Sequence, residues 1–166
     1  GEAMARAGKS PSILVGHSFG GVAVLMAAAQ MPGIRAAATL GAPFDIGRVL
    51  HESARTSLQA FEAGDEVEVS MSGQPFVLRK SFVDKLARHD FASSIAGLQI
   101  PLLILHSPQD ATVSIENAAR IFTAAKFDKI FTSLDKADHL LTQGSDADYA
   151  AARVSSWASG NLGSTY

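Results

Sequence analysis

The sequence predicts an α/β protein, a mostly parallel sheet with helices on both faces. Three observations lead there. Short apolar runs alternate with longer stretches in which apolar residues recur at helical spacing. Glycine and proline cluster where one kind of stretch gives way to the other. The chain of 166 residues, 47% hydrophobic and 18% charged, is long and apolar enough for one packed core, so a single domain over 1–166 is expected.

In order, residues 12–15 (Ser-Ile-Leu-Val) form the first apolar run, and 19–31, rich in Ala, Leu and Val, read as a helix that Pro32-Gly33 stops. Residues 36–40 read as a second buried strand ended by Gly41-Ala42-Pro43. A third strand is expected over 101–105, a helix over 115–125, a fourth strand over 129–134 and a last helix over 147–158. Residues 44–97 break this rhythm. They read as a helix (46–61), a hairpin pairing 66–69 with 76–79 around Ser72-Gly73, and a helix (80–88). An insertion between two parallel strands is where a lid would sit, and Phe61, Phe76, Phe82 and Phe91 are its candidate lid or acyl-pocket groups. Forming the insertion's own small core is the equal alternative for them.

Composition narrows the function. Fourteen basic against 16 acidic residues leave a net charge of −2, with no excess to neutralise a run of phosphates, which argues against nucleic acid as partner. With zero Cys there are no disulfides, thiolate metal sites or Cys nucleophiles, a usage that fits a cytoplasmic protein. No apolar run reaches the roughly 20 residues a membrane span needs, and no signal peptide opens the chain. No cofactor or metal is called for.

The chemistry gathers at Gly16-His17-Ser18-Phe19-Gly20-Gly21, between the first strand and the first helix. This is a G-x-S-x-G turn in the strand–turn–helix context it requires. Such a turn is sharp, so side chains at 16 or 20 are expected to collide with neighbouring backbone. It lifts the Ser18 hydroxyl above the sheet and aims the Phe19 N–H at a developing oxyanion.

A serine hydroxyl needs a base to take its proton, and the base needs an orienting acid. His139, just past the last strand, is the candidate base; a surface helix cap is its plainer alternative. Asp110, directly past the third strand in His106-Ser107-Pro108-Gln109-Asp110, is the preferred acid, with Asp45 after the second strand as rival. Asp135 and Asp138 lie too near His139 in sequence to be the default orienter, and Asp138 reads as a loop-structuring group. His17 is expected to support the turn and, with Phe44, Phe76 and Phe82, to border the substrate pocket. His106 reads as a packing residue or as a hydrogen-bond partner behind the acid, and His51 and His89 as solvated.

These segments resemble the α/β-hydrolase superfamily. They are similar in particular to bacterial hydrolase modules found alone or fused to an OsmC-type domain, on Val15 to Gly21, Leu40-Gly41-Ala42-Pro43, His106 to Asp110, and Ser133 to Leu141 with Tyr149 and Trp157. The OsmC-type peroxidase chemistry needs Cys, and none is present. The resemblance implies an N-terminally truncated hydrolase fold, because a full member carries about four strands before the nucleophile strand. It also implies that the second oxyanion donor, normally in the loop after the fold's third strand, has no counterpart here.

Two readings follow. In the first the chain is a serine carboxylesterase for short to medium acyl esters, working through Ser18, Asp110 and His139 and an acyl-enzyme. Peptidase or thioesterase activity stays open within it, whereas dehalogenation, which uses Asp as nucleophile, does not. In the second the chain is a weakly active or non-catalytic fragment serving as a binding or assembly module. The family's strand order would leave 12–15 as an apolar edge, so a homodimer or higher homo-oligomer is expected.

Overall fold

The computed structural model describes residues 12–44, 46, 65–71 and 74–163. Their elements are β1 (Ile13–His17), α1 (Phe19–Ala28), β2 (Ala36–Leu40), β3 (Glu66–Met71), β4 (Gln74–Arg79), α2 (Lys80–Arg88), α3 (Phe91–Ala96), β5 (Leu102–His106), α4 (Glu116–Ala124), β6 (Lys129–Ser133) and α5 (Gly144–Gly163). The chain divides into two compact units, one made of 1–44 with 91–166 and the other of 45–90.

In the first unit four parallel strands lie in the order β1-β2-β5-β6. The middle strands carry the apolar runs, and all five residues of β5 are buried. A strand covered on both faces has no solvent side on which to alternate, so Leu102 to Leu105 form an unbroken apolar run. Each such side chain contributes roughly 1.5–3 kcal/mol by leaving water. One face packs Ala37, Leu102 and Ile104 under Leu25 of α1, Ile95 of α3 and Ile121 of α4. The other packs Ala38, Leu103 and Leu105 under Ala150, Val154 and Trp157 of α5. Among the described residues β1 and β6 are the edges, and Val15, Ile130 and Phe131 are substantially exposed there.

The second unit contains the β3–β4 antiparallel pair, with Val67 opposite Leu78 and Val69 opposite Phe76, and α2 directly after it. The expected helix over 46–61 lies outside the described residues apart from Ile46, which is buried. Ser72 and Gly73 lie outside them too. The unit is shorter than the insertion read from sequence. Phe44 and α3 belong to the first unit, because Phe91 and Ile95 of α3 are buried and the helix packs against α1 and α4.

Because the four strands are parallel, their carboxyl ends lie on one side, and the loops after them deliver Ser18, Gly41, Asp110 and His139 to that side.

Candidate active site

Ser18 stands alone between β1 and α1, with φ 53° and ψ −125°, a backbone that side-chain-bearing residues rarely adopt. Two main-chain bonds hold it: its N–H donates to the Leu40 carbonyl at 2.8 Å, and its carbonyl accepts from the Gly21 N–H at 2.9 Å. A Cβ on Gly16 would lie 2.2 Å from the Gly20 carbonyl oxygen, so the turn closes only over glycine. The collision expected at position 20 does not occur, since nothing lies within 4 Å of a Cβ built there. The steric demand falls one residue later, on Gly21, where a Cβ would meet that of Ala42 at 2.6 Å. The reason is that residue 20 already faces outward on the first turn of α1.

Asp110 and His139 converge on Ser18 from the loops after β5 and β6. One carboxylate oxygen of Asp110, Oδ1, accepts the N–H groups of Thr112 (2.9 Å) and Val113 (2.8 Å), which fixes the carboxylate plane. Its Oδ2 lies 2.7 Å from His139 Nδ1, and His139 Nε2 lies 3.0 Å from Ser18 Oγ. A carboxylate only accepts, so the hydrogen sits on Nδ1, and Nε2 is left to receive the Ser18 hydroxyl proton. Asp110 and His139 are buried. Gly41, at φ 53°, closes over them: a Cβ there would stand 3.3 Å from Asp110 Oδ2 and 3.4 Å from His139 Nδ1. In sequence Gly41 announces only the end of a strand. Its contact with this pair depends on three loops meeting, for which no local signal exists.

Two further histidines brace the arrangement. His17 donates from Nε2 to the His139 carbonyl at 2.7 Å, its ring centroid 4.9 Å from that of His139. His106, almost fully buried, donates from Nε2 to the Val113 carbonyl at 2.8 Å, with Asp110 Oδ2 at 3.6 Å. Burial pushes the His106 imidazole below its ordinary value; the Val113 carbonyl and the Asp110 charge pull the other way and do not prevail.

The other sequence candidates lie elsewhere. Asp45 and His51 are outside the described residues. Asp135 pairs with the Ser133 hydroxyl. Asp138 accepts the Thr142 hydroxyl and, at 2.9 Å, its N–H, and these bonds hold its carboxyl below the usual carboxylate range. It ties the loop around His139, as a loop-structuring group would. Phe44 donates its N–H to Asn117 Oδ1 and carries the Arg120 guanidinium 4.2 Å above its ring. It lines a groove of about 670 Å³ between α3 and α4 that includes none of Ser18, Asp110 and His139. Phe82 is exposed, Phe91 is buried, and the Phe76 side chain is outside the described set. Among the described residues, no three His, Cys, Asp or Glu are grouped to hold a metal ion. None of the described helices is long and apolar enough to cross a membrane.

A parallel sheet with helices on both faces and a strained serine turn at its carboxyl end is the architecture of an α/β-hydrolase. The chain matches the prolyl oligopeptidase family over residues 8–165, and it belongs to that family. Among solved structures it is similar to the esterase domain of a Rhodothermus marinus protein, with 38% identity and a TM-score of 0.83 over 95% of this chain and 64% of that one. Est1E from Butyrivibrio proteoclasticus shares the fold at 19% identity and a TM-score of 0.76, over 94% of this chain and 63% of its own. Mouse alpha/beta hydrolase domain-containing protein 10 does so at 19% and 0.72, over 92% and 63%. The chain thus spans less than two thirds of the length of each of these relatives. Comparison with curated proteins finds no match.

Proposed function

We propose that this chain is a serine hydrolase of carboxylic esters with short to medium acyl groups. The hydrogen-bonded run Ser18–His139–Asp110 carries the reading. The 38% identity to an esterase domain supports the substrate class. In this mechanism Ser18 Oγ attacks the ester carbonyl while its proton passes to His139 Nε2. Asp110 keeps the imidazole in the required tautomer and stabilises the cation that forms. The negative oxygen develops toward the Phe19 N–H at the start of α1. Collapse expels the alcohol, which takes the proton from His139. Water, activated by the same imidazole, then releases the acid and restores Ser18.

Esters are favoured over amides because the similar Rhodothermus marinus domain is an esterase domain and because an alcohol leaves more readily than an amine. A p-nitrophenyl ester panel, run with a peptide anilide, should show ester turnover that Ser18→Ala abolishes. Fluorophosphonate should label the wild type and not Ser18→Ala. Absence of both labelling and turnover would favour the binding-module reading. The 45–90 unit, inserted in the chain between β2 and β5, serves in this reading as the lid. The same panel on Phe82→Ala should then shift in chain-length preference, and an unchanged preference with lowered stability would assign Phe82 to packing instead.

The reading also includes a homodimer in the cytoplasm. The dimer is supported by the apolar surface at β1, an edge among the described residues, where Val15 is half-exposed beside Leu140 in an apolar groove of about 560 Å³. Light scattering should give twice the chain mass, and Leu14→Lys should give a monomer. A wild-type monomer at micromolar concentration sinks the dimer.

A further inference from the structure

The loop that carries His139 starts from the wrong side of the sheet. Among the described residues β6 is at one edge and β1, which leads into Ser18, is at the other. Residues 134–143 must therefore arch back across β5 and β2 to bring the imidazole over Ser18. Two adjacent residues of the nucleophile turn grip His139 at that point. Ser18 Oγ meets the ring at Nε2, 3.0 Å away, and His17 Nε2 meets the main-chain oxygen of the same residue at 2.7 Å. The first contact involves the reacting hydroxyl, whereas the second does not involve the reacting atoms.

We propose that His17 is a positioning residue, a strut that fixes the main chain of His139 relative to Ser18. This deepens the serine-hydrolase reading and rests on it. Because a carbonyl only accepts, Nε2 of His17 must carry a hydrogen, which it does both in one neutral tautomer and in the imidazolium. The strut is part of the same turn as the nucleophile, so any shift of the turn carries the base along. The alignment of base and serine is thereby set directly rather than through the registers of three strand pairs. The Nε2 nitrogen committed in this way is not available to substrate, while the ring itself lines a groove with Leu40 and Leu140.

The test compares His17→Phe, His17→Gln and His17→Asn in the whole chain. Phe keeps the ring that faces His139 but loses the donor. Gln carries an amide N–H where Nε2–H stands, and Asn is too short to reach. Misplacing a catalytic group by about 1 Å costs on the order of 10²-fold. For p-nitrophenyl acetate, kcat should therefore fall roughly 10- to 100-fold in the Phe and Asn variants, with KM within about threefold, and Gln should recover most of it. A readout independent of turnover accompanies this: nitrogen-15 NMR of labelled histidine. It should find His17 protonated at Nε2 in the wild type. It should also find His139 as one sharp, δ-protonated ring in wild type and Gln variant, and broadened or averaged in the Phe and Asn variants. Equal behaviour of Gln and Asn, or a Phe variant with undiminished kcat and an unchanged His139 ring, would overturn the strut. If the wild type neither turns over ester nor reacts with fluorophosphonate, the hydrolase reading fails, and the NMR comparison still decides whether His17 holds His139.

Discussion

Gly41 has no functional group, yet it packs on the Asp110–His139 pair where a side chain would be tight against both. Its φ of 53° is uncomfortable for other residues, and its missing Cβ leaves only 3.3 Å to Asp110 Oδ2. Gly41→Ala should therefore lose about 1–3 kcal/mol of stability in urea titration. It should also turn over ester more slowly per folded molecule, because the methyl presses on the hydrogen bond that orients the base. A variant with wild-type turnover would show that the pair yields without cost. At this scale the sequence is legible where one residue's demand is local. Ser18 is readable from the glycines around it, and Asp110 and His139 from their places just past a strand. Gly41 and His17 are not, because their contacts join segments separated by most of the chain.

The elements were readable where short apolar runs alternate with stretches of helical spacing, and blurred where pairing, not hydrophobicity, sets the boundary. β1 continues to His17 because Gly16 and His17 pair with Thr39 and Leu40, although neither is apolar. α5 runs from Gly144 to Gly163, well beyond the apolar stretch that announces it, since no proline intervenes to stop it. α3 was not foreseen. Its six residues offer one buried i, i+4 pair, Phe91 and Ile95, too short a pattern to register as periodic. That pair nevertheless anchors the helix to the main sheet, so Ile95→Ala should cost about 2–5 kcal/mol in denaturant unfolding. A cost under about 0.5 kcal/mol would mean that α3 is an ornament on the core.

For the molecule as a whole, the buried His106 links stability to acidity. Its folded value lies below the ordinary 6.5, which the unfolded chain retains, so near that pH the unfolded chain binds more protons. Its contribution is complete above pH 6.5 and declines as the pH falls from there to the folded value, below which the loss levels off. Asp138 acts further down: its stabilising bonds to Thr142 are lost as the pH drops below 3.8 and through its lowered folded value. Melting curves between pH 8 and 5 should show a downward slope below 6.5 in wild type that is shallower in His106→Gln. An identical slope in both would locate the proton uptake elsewhere.

Strand order also sets when the three side chains can meet. The β3–β4 pair and the β1–α1 turn join near neighbours in the chain, whereas Ser18 and His139 are 121 residues apart and arrive from opposite edges of the sheet. Closing so large a loop is unfavourable until β2 and β5 lie between them. The Ser18–His139 contact is therefore expected to form late in folding. A chain diluted out of denaturant will recover helical circular dichroism first and fluorophosphonate labelling last. The interval between the two is the time the last loop takes to cross the sheet.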